Sequence, residues 1–241
     1  MTQAICMWSG PRNLSTAMMR SFGSRADCSV WDEPFYAPFL LATGRDDPGR
    51  DEILAAHETD ANAVAKHCLE DVGSDYYFQK HMPLHMLDGF PLCWAKETKH
   101  FFLLRHPKRV IASYVKVRPE VTVEDVGFRA QRRLYDTLTD MTGTPPPVIH
   151  SEDILKNPKA ALSALCAAID IPFDPAMLSW EAGPKVEDGA WAPHWYGNVI
   201  NSKGFAPFNP NMPKIAPQYD RLLSACMADY NAMSQLALTQ D

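Results

Sequence analysis

Ala4-Ile5-Cys6-Met7-Trp8-Ser9-Gly10-Pro11-Arg12-Asn13-Leu14-Ser15-Thr16-Ala17-Met18-Met19-Arg20 is the stretch from which the rest of the chain is read. Five apolar residues in a row suit a strand buried on both faces, and Gly10-Pro11 breaks it. Ser15 and Thr16 then open a segment of helical composition. A helix that starts where a buried strand ends aims free backbone N–H groups and the positive end of its dipole at one point. The stretch therefore predicts a cradle for an anion at the start of an α/β fold.

Outward from it, short strands and helices alternate. Cys28-Ser29-Val30-Trp31, Tyr76-Tyr77-Phe78, His100-Phe101-Phe102-Leu103-Leu104 and Pro147-Val148-Ile149-His150 read as strands. Three of them run into polar, chemistry-bearing residues: Asp32-Glu33-Pro34, Gln79-Lys80-His81 and Arg105-His106-Pro107. The carboxyl ends of strands in open α/β sheets face ligands. Residues 51–72 predict one outer helix, 123–141 a second and 215–236 a terminal one, while Pro107 fits the first turn of a helix through Tyr114. The pattern predicts a three-layer α/β/α fold with a central, mostly parallel sheet. Residues 181–213, rich in Pro, Gly, Asn and Trp without a clean period, read as a lid or binding loop.

Composition bounds the function. A chain of 241 residues with 46% hydrophobic and 22% charged residues suits one globular domain spanning 1–241. A net charge of −6 disfavours binding along a nucleic-acid backbone. The six cysteines are scattered without a CxxC pair and read as reduced core thiols, and no His/Asp/Glu cluster has metal spacing. With no long apolar run and a first strand beginning near Gln3, the expectation is a cytoplasmic protein without membrane or nucleic-acid partners. No oligomeric state is implied.

The opening loop differs from the nucleoside-triphosphate motif GxxxxGK[ST]. Ser15 stands where its lysine would precede Thr16, and Leu14 occupies a glycine position. What remains is one cation, Arg12, and the donors Asn13, Ser15 and Thr16, a set suited to a phosphate without metal; the bland reading is that Ser15 and Thr16 only cap a helix.

Two stretches taken together resemble PAPS-dependent sulfotransferases. Phe101 to Tyr114, with Arg105 and Ser113 eight residues apart, resembles the segment that holds the 3′-phosphate of 3′-phosphoadenosine 5′-phosphosulfate (PAPS) in that family. Ser9 to Thr16, with Gly10 and Arg12, is similar to the loop that binds the 5′-phosphosulfate, arginine replacing the usual lysine. Val148 to Pro158 is similar to the strand, turn and helix that follow, and Ser202-Lys203-Gly204-Phe205 resembles the late Arg-Lys-Gly element without its arginine. The resemblance implies the P-loop-like sulfotransferase architecture and a sulfuryl transfer from PAPS, without metal, to a hydroxyl or amine of a small-molecule acceptor. It implies Gly10, Arg12, Asn13, Ser15, Thr16, Arg105, Ser113, Lys203 and Gly204 as the cofactor-binding set.

Two residues compete as the base. His81, in Lys80-His81-Met82-Pro83, resembles the family's Lys-x-His-x-Pro segment with one residue missing between lysine and histidine; Glu33 resembles the glutamate base of other branches. Either can take a proton, one as a near-neutral imidazole and the other as a carboxylate raised by burial. Arg12, with Lys80 as an option, would stabilise charge on the leaving phosphate. The arginine face at Arg129, Arg132 and Arg133 reads as a solvated helix surface, and Trp191, His194, Trp195 and Tyr196 either line a pocket or pack a lid. A metabolite kinase of the P-loop class and a non-catalytic nucleotide-binding protein of the same fold are the alternatives.

Overall fold

The computed structural model describes residues 2–239. Five parallel strands form one sheet: β1 (Gln3–Ser9), β2 (Cys28–Asp32), β3 (Tyr76–His81), β4 (Lys99–Leu104) and β5 (Val148–His150), in the order β2-β3-β1-β4-β5. Between them and after them run helices α1 (Ser15–Gly23), α2 (Tyr36–Thr43), α3 (Arg50–Ala56), α4 (Ala61–His67), α5 (Pro107–Tyr114), α6 (Val123–Val126), α7 (Phe128–Thr142), α8 (Ser151–Lys156), α9 (Pro158–Ala168), α10 (Ala192–Trp195), α11 (Gly197–Ile200) and α12 (Asp220–Ser234).

The pleat of β1 divides the core. Ile5 and Met7 join Met18, Met19 and Phe22 of α1 and Leu162 and Leu165 of α9 on one face. Cys6 and Trp8 join Val110 and Ile111 of α5, Leu134 and Leu138 of α7, and Leu222 of α12 on the other. Alternate side chains of a strand point to opposite faces, so a fully apolar β1 is the signature of a sheet covered on both sides. The three-layer α/β/α expectation is met. α1 and α5 leave the neighbouring carboxyl ends of β1 and β4 towards opposite faces, which opens a crevice there.

Two expected helices are each two helices. The 51–72 segment breaks between α3 and α4 because Glu58 accepts hydrogen bonds from the N–H groups of Thr59 and Asp60, and Asp60 caps α4 through Asn62 N–H. The 123–141 segment breaks at Gly127, whose φ of 75° no helix accommodates. That bend lets the chain pass close to the opening loop: a Cβ on Gly127 would stand 3.5 Å from Pro11 Cδ and 3.7 Å from Gly10 Cα.

Residues 181–213 carry the short helices α10 and α11 and fold onto the sheet, burying Trp191 and Tyr196 in the core. Among the described residues no disulfide links the cysteines, and no helix is long and apolar enough to cross a membrane.

Candidate active site

The loop between β1 and α1 is braced from below. The Asn13 and Gln131 side-chain amides both donate to Leu103 O, at 3.2 and 2.8 Å, and Ser151 Oγ donates to Asn13 O and Leu104 O at 2.7 and 3.0 Å. Arg12 and Leu14 adopt left-handed φ angles of 61° and 77°. Such angles are costly for side-chain-bearing residues and are held only where the surroundings over-determine them. Leu14 thus takes the glycine-like shape without glycine. Because the N-cap of α1 receives no side-chain hydrogen bond, the first amides of the helix are left for an incoming group.

Above this loop lies a cavity of about 420 Å³, lined by Arg12, Ser15, Thr16, Glu33, Lys80, Arg105 and Ser113 among others. Arg105 Nη1 donates to Arg12 O at 2.6 Å, and Arg12 Nε donates to Ser113 Oγ at 3.0 Å. The loop after β1 and the helix after β4 therefore meet through these three residues. Among the described residues neither Arg12 nor Arg105 has a carboxylate within salt-bridge distance. Burial lowers the pKa of both guanidiniums. Two partly desolvated cations short of counter-charge, beside hydroxyls and a helix N-terminus, form a site whose chemistry suits an anion. Arg109, also on the cavity wall, is instead shared with Glu152 at 3.4 Å and lies over the Phe208 ring.

A second group joins the ends of β2 and β3. Buried Lys80 donates from Nζ to Asp32 Oδ1 at 2.8 Å, to Glu33 Oε1 and to Tyr196 OH at 2.6 Å. Tyr196 OH donates in turn to Asp32 Oδ2 at 2.6 Å and accepts from Trp191 Nε1 at 2.9 Å. Burial works to lower the Lys80 pKa, but Asp32 and Glu33 outweigh it and the ammonium is held charged. Burial raises Glu33, against the pull of Lys80. With its three protons engaged, Lys80 organises the two carboxylates, whereas Arg12 donates only to Ser113 Oγ and Trp195 O.

His81 is not at the cavity. It stacks on Trp8 with ring centroids 4.5 Å apart, contacts Phe35 and Trp94, and pairs Nε2 with Gln79 Oε1 at 3.0 Å. Burial, with His100 and His85, pushes its pKa well down. The reason is the strand period. A lysine and a histidine two apart share a face of β3, whereas adjacent Lys80 and His81 point to opposite faces. The residue missing from the Lys-x-His spacing is what turns His81 into core.

Gly10, Asn13, Lys203 and Gly204 also lie off the cavity wall. Gly10 permits close passage, since a Cβ there would stand 3.0 Å from Val126 O, and Asn13 is the brace described above. Lys203 and Gly204 hold the chain beside 178–180: Trp180 N–H donates to Lys203 O at 3.2 Å, and Gly204 bridges Ser179.

The histidine that does line the cavity is His85, at the end of the 3-10 turn Pro83–His85. Its ring stacks on Tyr36 at 4.5 Å and against Phe39 at 4.9 Å. No local sequence signal marks it, because Pro83-Leu84-His85 has no motif spacing and only the turn carries the ring back to the strand ends. Tyr36 OH donates to Asp47 Oδ2 at 3.0 Å, Asp47 pairs with Arg45 and Arg118, and Arg45 also pairs with Asp125, giving this wall an edge of two carboxylates and two guanidiniums. Among the described residues no His/Cys/Asp/Glu group is arranged to hold a metal ion.

A sulfotransferase-domain family model matches residues 3–237. The chain belongs to the sulfotransferase-domain family. Its fold is shared with the sulfotransferase domain from the curacin biosynthetic pathway, with a TM-score of 0.57, 14% identity, and coverage of 97% of this chain and 98% of that one. A sulfotransferase from Alicyclobacillus acidocaldarius is similar at a TM-score of 0.57 and 11% identity, covering 99% and 98% of the two chains. Among curated proteins the chain is similar to branched-chain-amino-acid aminotransferase-like proteins 2 and 1 of Arabidopsis thaliana, 40% and 41% identical over 234 residues. That match covers 96% of this chain and 41% of either relative, so the chain spans less than half the length of the curated proteins it matches.

Proposed function

We propose that this sulfotransferase-family chain transfers the sulfuryl group of PAPS to a hydroxyl or amine of a small molecule. The observation that carries the reading is the pair Arg12 and Arg105, half-buried in one cavity without carboxylate partners among the described residues, with Arg105 bonded to Arg12 O and Arg12 to Ser113. A donor with anionic groups at both its 5′ and 3′ ends offers one group to each of two such cations. Bound there, PAPS supplies the activated sulfuryl group. Arg12, Ser15, Thr16 and the first amides of α1 would hold the phosphosulfate, and Arg105 with Ser113 the 3′-phosphate. Glu33, raised by burial and lining the same cavity, is the group on which the acceptor's proton comes to rest. Asp32 and Lys80 fix the orientation of its carboxylate.

Calorimetric titration with adenosine 3′,5′-bisphosphate against ADP and ATP tests the reading. The bisphosphate is expected to bind without magnesium, and Arg105→Ala to weaken it by roughly tenfold to a hundredfold, the range of a charge-assisted hydrogen bond. Preference for magnesium–ATP over the bisphosphate would overturn it in favour of a kinase.

A further inference from the structure

His85 sits behind Glu33 in an arrangement that the sulfuryl-transfer reading leaves unused. Its Nδ1 is buried and makes no hydrogen bond, and the Glu33 carboxylate oxygen Oε2 faces it at 3.8 Å. Glu33 Oε1 is taken by Lys80, which leaves Oε2 as the free oxygen. The imidazole plane is clamped against Tyr36, 4° from parallel, and within that plane the ring places Nδ1 on the Glu33 side. The other nitrogen, Nε2, has no protein hydrogen bond and is not among the buried orphan atoms, on a residue that lines the cavity.

We infer that His85 is a further catalytic residue: its Nδ1–H points at Glu33 Oε2, and its bare Nε2 faces the cavity as the atom that receives the proton of an acceptor hydroxyl.

The inference rests on the sulfuryl-transfer reading for its chemistry. The proton of the acceptor hydroxyl moves to Nε2 while the Nδ1 proton moves to Glu33 Oε2. The ring remains neutral with its proton on the other nitrogen, and the carboxylate becomes a carboxylic acid. Release of the Nε2 proton to water entering the cavity, with return of the Glu33 proton to Nδ1, resets the pair. A contraction of about 1 Å brings Nδ1 and Oε2 to hydrogen-bond distance, a tightening ordinary for apo catalytic groups.

The electrostatics favour a relay over a stored imidazolium. Burial and the Lys80 ammonium, with Arg45 beyond it and Asp47 opposing, push the His85 pKa down to about 3. A cationic ring is thus unfavourable, and burial makes Glu33 the better resting place for the proton. A hydroxyl near these two groups loses its proton without creating a new buried charge on the histidine.

Two measurements on the full chain test this. In protein labelled with 15N-histidine, two-bond 1H–15N spectra assigned with His85→Gln should show the His85 ring neutral and protonated on Nδ1. This is the less common tautomer, and packing alone would not select it. Diethylpyrocarbonate should carbethoxylate His85 at its free Nε2, mapped by mass spectrometry, while His100, as buried but with both ring nitrogens hydrogen-bonded, stays unmodified. An Nε2–H tautomer overturns the proposal, as does an unreactive His85. Failure of the bisphosphate to bind would instead remove the sulfuryl-transfer reading and leave the tautomer result standing, so the two failures are separable.

Discussion

Leu14 shows how a single backbone angle carries function. Its φ of 77° places a branched side chain in the left-handed region, and that side chain packs against the core beneath α1. Leucine tolerates the angle because its branch lies one carbon further out than that of valine. Leu14→Val is expected to lower the unfolding free energy by about 1–2 kcal/mol, measured by urea denaturation, and to weaken bisphosphate binding as the loop amides tilt. An unchanged urea midpoint would mean the loop is not strained. That Arg12, Ser15, Thr16, Arg105 and Ser113 share one cavity was legible in the sequence, because each follows a strand end at a spacing that chain geometry makes meaningful. Lys80 was legible as a site residue, but its three hydrogen bonds were not, since they depend on Tyr196, over a hundred positions away.

At the scale of the element, β3 and β4 place two histidines, His81 and His100, on the face covered by α5, α7 and α12. His100 accepts from Trp8 Nε1 at Nδ1, 3.1 Å, and its Nε2 lies 2.7 Å from Ala95 O, a neutral imidazole with both nitrogens satisfied. Burial lowers its pKa to about 4 against an ordinary value of 6.5, with the Ala95 contact opposing. A histidine neutral in the fold takes up its proton only on unfolding. Stability is therefore complete above about pH 6.5 and is lost as pH falls towards 4. Between pH 7 and pH 5 the loss from His100 is about 2 kcal/mol, and His85 adds a similar amount. Denaturant unfolding at the two pH values checks this, and His100→Gln should flatten the dependence; an equal slope in that variant would exclude His100 as its source. The strands were legible from apolar runs. The helix breaks were not, because side-chain turns at Glu58 and Asp60 compete locally with a helical pattern that continues across them.

Over the whole molecule, residues 181–213 close the site from a distance in sequence. The Arg20 guanidinium of α1 meets the Asp188 carboxylate at two 2.7 Å contacts, both side chains buried, while Tyr196 is tied to Asp32 and Lys80. These links draw a segment of low regular structure onto the ends of β2 and β3. Asp188→Ala leaves Arg20 buried without its partner, a defect of about 3 kcal/mol. Limited proteolysis within 181–213 should accelerate roughly tenfold or more, with cleavage elsewhere unchanged, because the cost is local to the segment. Cleavage at the wild-type rate would show that the ion pair does not hold it.

By itself the sequence determined the class of the fold and which residues at the ends of β1 and β4 line the cavity. Apolar runs of strand length, breakers at their ends and hydroxyls at a helix start are local features, and local sterics and hydrogen bonding dictate what they form. The tertiary structure alone decided which histidine reaches the cavity. The pleat of β3 turns His81 into the core, and the turn at Pro83–His85 brings His85 back beside Glu33. It also decided that Lys80 is an organiser of carboxylates, because its partners come from β2 and from the 181–213 segment and meet only when the sheet is covered.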